Sequence, residues 1–156
     1  MKNVVIYTDG ACVNNPGPGG YGVVLMAQKE RKELSGGFRL TTNNRMEIMA
    51  TIFALQALTE KCVVTLYTDS QYVVDSIMKG WAEKWQQNGW KRNKKEKAKN
   101  ADLWEKLLEL CKQHEVNFIW VRGHSGNKEN EYCDRLAFQA TQGDNLLIDY
   151  DYENSP

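Results

Sequence analysis

The run Asn3-Val4-Val5-Ile6-Tyr7-Thr8-Asp9-Gly10 is apolar without polar alternation and stops at a carboxylate and a glycine. Such a run predicts a strand covered on both faces. Its ending returns further along the chain, where Val63-Val64-Thr65-Leu66-Tyr67-Thr68-Asp69-Ser70 closes with the same Tyr-Thr-Asp-small signature ahead of a helical pattern. Two such strands lying side by side and parallel would bring Asp9 and Asp69 out together at the carboxyl edge of a sheet, where open α/β sheets place their ligands. Neighbouring strands are about 4.8 Å apart, which sets the two carboxylates roughly 5 Å from each other. At an effective dielectric near 20 their repulsion is roughly 3 kcal/mol, so the pair is expected to share a proton or to hold a cation. A metal site is the expectation that organises the rest of the reading.

The 156 residues, 42% hydrophobic and 26% charged, suit one folded domain over residues 1–156 and exclude a disordered polyelectrolyte. The first strand begins within three residues of Met1, which leaves no room for a signal peptide ahead of it. No apolar run reaches the ~20 residues that span a bilayer, since Met46 to Leu58 is interrupted by Glu47, Thr51 and Gln56. Cys12, Cys62, Cys111 and Cys133 form no CxxC pair, which argues for reduced thiols in a cytoplasmic protein and against zinc. The formal net charge of zero hides an asymmetry. Lys79, Lys84, Lys91, Arg92, Lys94, Lys95, Lys97 and Lys99 face only Glu83 and Glu96 within their segment, a local +6 balanced by −6 elsewhere. One basic patch on an otherwise acidic molecule points to a polyanionic partner met at a defined place.

After Gly10, the stretch from Ala11 to Gly20 is rich in Asn, Pro and Gly and reads as a turn. It lacks the terminal Gly-Lys-Ser/Thr of a phosphate-cradling loop. Tyr21 to Ala27 and Glu33 to Leu40 read as two further strands of an antiparallel meander, joined by Gln28 to Lys32. Thr41-Thr42-Asn43-Asn44 opens a helix to about Leu58, and Asn44 with Glu47 fits the spacing of a capping box. Glu47 also shares a helical stripe with Ala50, Thr51, Ala54 and Leu58 that leans toward the sheet. A carboxylate there needs a partner, and beside two strand-end aspartates metal ligation is the better account.

Asp69 or Ser70 can cap a helix from Gln71 to Lys79. Trp81 and Trp85 then share one helical face, and Asn88 to Lys95 is a basic loop. Core tryptophans beside a solvated charge run would give the same pattern, but interleaved aromatic and basic residues suit a surface that tracks a nucleic-acid backbone. Asp102 to Gln113 is a helix, with His114 at its negative end, followed by a strand from Glu115 to Val121. The turn Arg122-Gly123-His124-Ser125-Gly126 sets His124 at the same carboxyl edge, as a candidate for proton transfer. Asn130 to about Thr141 is the last helix and carries Asp134, while residues 142–156 are expected to dock in part and end as a fraying acidic tail.

Taken in order, Tyr7-Thr8-Asp9-Gly10, Asn15-Pro16-Gly17-Pro18-Gly19-Gly20-Tyr21-Gly22, Thr41-Thr42-Asn43-Asn44-Arg45-Met46-Glu47, Thr68-Asp69-Ser70-Gln71-Tyr72, Trp120-Val121-Arg122-Gly123-His124 and Glu129-Asn130-Glu131 with Cys133-Asp134 resemble type 1 ribonuclease H of the bacterial kind. These motifs span Val4 to Ala140, with no departure at a catalytic position; the tail after Thr141 does not match.

The resemblance implies an α/β ribonuclease H-like fold, a mixed five-stranded sheet of order 3-2-1-4-5 with helices on both faces. It also implies an endonuclease that cuts the RNA strand of an RNA/DNA hybrid and leaves 5′-phosphate and 3′-hydroxyl ends. By that similarity Asp9, Glu47, Asp69 and Asp134 hold one or two Mg²⁺ or Mn²⁺ ions, and His124 relays a proton or helps release product. Oxygen-only ligands agree with that choice of metal. The Cys12 backbone, Asn15, Asn43, Asn44 and Gln71 would line the minor groove, where a 2′-hydroxyl is read. Thr42, Arg45 and Asn100 would form a phosphate pocket for the DNA strand, with Tyr72, Trp81, Lys94, Lys95, Lys97 and Lys99 along the backbone. The implied protein is a monomer without a membrane partner. A transposase or integrase relative would share the strand-end acids but act on DNA duplexes, and a catalytically silent hybrid-binding module would lack the acids.

Overall fold

The computed structural model describes residues 1–155. Its centre is one five-stranded sheet of order β3-β2-β1-β4-β5. Strands β1 (Lys2–Cys12), β2 (Gly17–Ala27) and β3 (Glu30–Thr41) form the antiparallel meander. Strands β4 (Cys62–Thr68) and β5 (Glu115–Trp120) add in parallel on the other side of β1. Helices α1 (Asn43–Gln56), α2 (Gln71–Met78), α3 (Trp81–Gln87), α4 (Ala101–Gln113), α5 (Lys128–Thr141) and α6 (Tyr150–Glu153) complete the chain. The fold is the one the resemblance implies. Among the described residues no helix is long and apolar enough to cross a membrane.

The core lies between the sheet and α1, whose Met46, Ile48, Ala50, Ala54 and Leu55 are buried against Val4, Ile6, Val64 and Leu66. A helix apolar on nearly every side belongs in an interior. Helix α4 seals α1 from outside with Leu103, Trp104 and Leu107. On the opposite face α5 lies across β1 and β2. There Tyr7 and Tyr67 stack with ring centroids 4.8 Å apart and stay half-buried, so β1 is covered on both faces but sealed on only one.

Several boundaries differ from the sequence expectation, each for a visible reason. Strand β2 begins at Gly17 rather than Tyr21, and β3 runs from Glu30 to Thr41. The glycines that read as turn are strand residues over which helices pass closely. A Cβ on Gly20 would sit 2.3 Å from the Ala137 carbonyl oxygen, and one on Gly22 would sit 2.4 Å from that of Cys133. The cap of α1 is Thr42, whose Oγ1 accepts the Arg45 amide at 3.2 Å, so Asn44 and Glu47 form no capping box. His114 is buried, and its Nδ1 accepts the Cys62 amide at 3.1 Å, tying the end of α4 to the start of β4 rather than answering a helix dipole at the surface.

The tail is docked as far as Glu153. Leu147 bridges the open edge of β3, with Arg39 N–H donating to its carbonyl at 2.8 Å and its own N–H donating to Gly37 at 2.9 Å. Asp149 is buried and caps α6, and Arg39 holds Glu153 at 2.8 Å. Covering an edge strand removes a row of unpaired backbone groups; the tail's acidic composition concealed that it had partners.

The tight seat of α5 on β2 makes a direct test. Gly22→Ala should lower stability by about 1–3 kcal/mol, the range for overpacking, because the obstacle is backbone that no rotamer change removes. An unchanged urea midpoint would show that α5 can lift from the sheet without cost.

Candidate active site

Register places the acids. The parallel pairing of β1 with β4 runs from Lys2↔Cys62 to Thr8↔Thr68 and ends there, because β4 stops at Thr68 while β1 continues to Cys12 against β2 alone. Asp9 and Asp69 are each the next residue after the last pair. Helix α1 crosses β1 at this point, so closely that a Cβ on Gly10 would lie 2.4 Å from the Glu47 backbone nitrogen. The Gly10 amide donates to Glu47 Oε1 and turns that side chain to the strand ends. One carboxylate oxygen from each of Asp9, Glu47 and Asp69 lies within 4.8 Å of the others. Asp9 and Glu47 are buried and Asp69 is half-exposed, so the cluster opens to solvent on one side.

Asp134 stands outside this trio on α5, half-exposed, with its carboxyl in hydrogen-bonding reach of Asp9. Its helix starts at Asn127, which caps by accepting the Asn130 amide at 3.0 Å and whose side chain also reaches the Tyr7 phenol. The loop between β5 and α5 is laid against Asp69. Trp120 Nε1–H donates to the Asp69 carbonyl at 3.1 Å, and the Val121 amide donates to Thr68 at 2.9 Å. A Cβ on Gly123 would come 2.8 Å from Asp69 Oδ2, so a larger residue there would push that carboxylate aside. His124 follows, exposed and with φ of 55°.

Burial is the largest cause that pushes the Asp9 carboxyl far above its ordinary 3.8, followed by the charge of Glu47 and a hydrogen bond with it, then the charge of Asp69. Glu47 is pushed up from 4.5 to about 8, first by burial and next among the raising causes by Asp69, while Asp9, the Gly10 amide and the Ser70 hydroxyl hold it lower than burial alone would. Like charges gathered in a partly dry site share protons or bind a cation. The residues fit a hard divalent ion, which takes oxygen ligands.

The proposed substrate residues sort into three groups. Asn15 Oδ1 accepts the Asn43 amide at 3.0 Å, and Asn44 and Gln71 are exposed beside the acids, with half-buried Cys12 behind them. Tyr72, Trp81, Lys97, Lys99 and Asn100 line one groove of about 480 Å³, and Lys94 and Lys95 stand exposed on the loop beyond it. Arg45 is turned inward. It is 4% exposed, and its guanidinium is enclosed by Asp102 at 2.7 Å and Asp149 at 2.7 Å. Thr42 spends its hydroxyl as a cap, and Asn100 Oδ1 accepts from Arg45 at 3.3 Å, so all three members face inward in part.

Sequence reasoning missed Asn127, Trp120 and Gly123 as supports of the acids and saw Ser70 only as a helix cap. Ser70 and Gly123 had a signal, their adjacency to Asp69 and His124. Asp102 and Asp149 had none, since they lie far from Arg45 in sequence.

A family model for RNase H matches residues 1–142. The chain belongs to the ribonuclease H family, bacterial type 1. It is 70% identical over 153 residues to the Ribonuclease H of Rippkaea orientalis, which covers 98% of this chain and 94% of that protein. Among solved structures it is similar to LC9-RNase H1, a type 1 RNase H with the type 2 active-site motif, at a TM-score of 0.83 and 31% identity over 100% of this chain and 82% of that one. It is also similar to LC11-RNase H1 in complex with an RNA/DNA hybrid, at a TM-score of 0.67 and 25% identity over 89% of this chain and 96% of that one. Ribonucleases H depend on divalent metal, which agrees with the carboxylate cluster.

The repulsion can be measured without substrate. A carboxyl whose folded pKa is raised favours the folded state below its unfolded pKa and loses that contribution as pH rises toward the folded value. In EDTA the stability of this ribonuclease H should therefore fall as pH rises from about 4 through the Glu47 value of about 8. Asp9→Asn keeps the shape, removes one of the converging charges, and should flatten that fall. At pH 7 it should be more stable than the unmutated protein by about 1–3 kcal/mol at an effective dielectric near 20. Urea unfolding across pH reads both; a destabilised Asp9→Asn would mean that the carboxylates are paired structural groups.

Proposed function

We propose that this chain cuts the RNA strand of RNA/DNA hybrids endonucleolytically, with Asp9, Glu47, Asp69 and Asp134 holding one or two Mg²⁺ or Mn²⁺ ions, and leaves 5′-phosphate and 3′-hydroxyl ends. The observation that carries the reading is the convergence of three carboxylates within 4.8 Å at the edge where β4 ends. Bound there, such ions supply an activated water as nucleophile and charge stabilisation for the leaving oxygen. Asp9 is the central ligand because Glu47, Asp69 and Asp134 all approach it. His124, exposed on a loop held against Asp69, exchanges a proton with solvent and with the reacting phosphate.

Asn15, Asn43, Asn44 and Gln71 supply amide donors and acceptors beside the acids and read the 2′-hydroxyls that distinguish RNA from DNA. The groove of Tyr72 and Trp81 with the exposed lysines takes the backbone of the second strand. The hybrid bound by LC11-RNase H1 supports this substrate. The chain acts as a monomer in the cytoplasm.

Matched RNA/DNA, RNA/RNA and DNA/DNA duplexes, each with Mg²⁺ and with EDTA, test the substrate directly. Only the hybrid should be cut, on its RNA strand and only with the metal; efficient cutting of the DNA duplex would sink the reading. The basic loop makes a separate prediction. Replacing Lys94, Lys95, Lys97 and Lys99 by alanine should raise KM far more than it lowers kcat, because these side chains hold ground and transition states alike. The slope of log affinity against log salt should become shallower by about 0.7–0.9 for each phosphate no longer neutralised. An unchanged slope would return the loop to a solvated surface.

A further inference from the structure

We infer that Asp149 is a positioning residue: through Arg45 the carboxyl-terminal tail sets where the first turn of α1 stands relative to α2 and the start of α4. The inference rests on the reading that the hybrid lies across these elements, and it adds a part of the chain that the reading does not use.

All five guanidinium N–H groups of Arg45 are engaged. Nε donates to Asp149 Oδ2 at 2.7 Å and Nη2 to Asp149 Oδ1 at 3.0 Å. Nη2 and Nη1 donate to the Asp102 oxygens at 2.7 and 2.9 Å, and Nη1 donates also to Asn100 Oδ1 at 3.3 Å. The network continues outward on both sides. Thr41 Oγ1 donates to Asp149 Oδ2 at 2.8 Å, while Asn100 Nδ2 and Trp104 Nε1 donate to the Tyr72 hydroxyl at 3.3 and 3.2 Å. One chain of hydrogen bonds thus joins the tail, the first turn of α1, the start of α4 and α2. Asn43 and Asn44 sit on that turn of α1, Gln71 and Tyr72 on α2, and the basic loop ends at Asn100.

A guanidinium is a planar fork that moves as one body. With Asp149 gone, two N–H groups would be left in a place where Arg45 is 4% exposed. Restoring their bonds means turning the fork, which draws it from Asp102 or Asn100 and shifts the surface beside them. Glu47 is less affected, because the Gly10 amide holds its carboxylate independently. The signature is therefore in substrate affinity rather than turnover. The tail has other ties, the Arg39–Glu153 pair and the Leu147 bridge, and neither touches α1. A purely stabilising tail would make all of these ties equivalent.

Steady-state cleavage of an RNA/DNA hybrid at saturating Mg²⁺, at a temperature where melting curves show every variant folded, separates the two. Asp149→Asn and Asp149→Ala should raise KM on the order of tenfold, below the roughly 10²-fold that an ångström of misplacement can cost. Turnover should stay within about twofold. Glu153→Gln loosens the tail elsewhere, and Leu25→Ala destabilises the core at the other end of the sheet; both should leave KM where it was. An unchanged KM in Asp149→Asn, or an equal rise in Leu25→Ala, overturns the proposal. Amide chemical shifts read the same device without substrate: those of Asn44, Tyr72 and Asn100 should move in Asp149→Asn and not in Glu153→Gln, and unmoved shifts also overturn it. If Lys97→Ala with Lys99→Ala fails to raise KM, the placement of the hybrid is what fails, and the amide shifts still decide the role of Asp149.

Discussion

Parallel pairing in register from Lys2↔Cys62 to Thr8↔Thr68 brings two carboxylates to one sheet edge. The basic residue two positions before Glu47, Arg45, is enclosed by Asp102 and Asp149 on the far side of α1. Glu47 then adds a third carboxylate from a helix held close by the missing side chain of Gly10. The result is a concentration of negative charge that favours the folded state least in the absence of metal and most when a divalent ion binds only the folded chain. The extensive core between α1 and the sheet is what holds such a site together.

Two buried polar clusters sit two residues apart on opposite sides of α1, and they obey opposite rules. Around Arg45 every donor has an acceptor, and removing one partner of such a pair costs about 3–5 kcal/mol because a buried charge is left alone. Around Glu47 burial comes first and like-charged neighbours next in raising the pKa values of Glu47 and Asp9. A satisfied cluster gives rigidity, and an unsatisfied one gives affinity for a cation.

The aromatic residues near the basic segment divide in the same way. Trp85 and Trp90 pack against the core, while Trp81 is 40% exposed with Lys79 over its ring. The core reading therefore holds for Trp85 and Trp90, and Trp81 is left at the surface. Spacing put Trp81 and Trp85 on one helical face, and both line the groove, Trp85 while also packing against the core.

Local pattern alone determined the strand carrying Asp9 and the strand leading to Asp69, though not the run of β1 on to Cys12, together with the helix carrying Glu47, the loop carrying His124 and the charge asymmetry, because each is written in neighbouring residues. A strand's apolar run, a Gly-flanked histidine and a lysine-rich segment need no distant partner to be read. The sequence by itself also carried enough ordered motifs to imply the family and its strand order. Tertiary structure decided what depends on distant partners. Gly20 sits in a stretch with the composition of a turn, and only its pairing with β1 and β3 beneath α5 makes it a strand residue. Arg45 has the chemistry of a phosphate ligand, and only the closure of Asp102 and Asp149 around it turns it inward; the same closure docks a tail whose acidic composition suits fraying. In each case the deciding interaction joins residues far apart in the chain, and neither composition nor period records which charge will meet which.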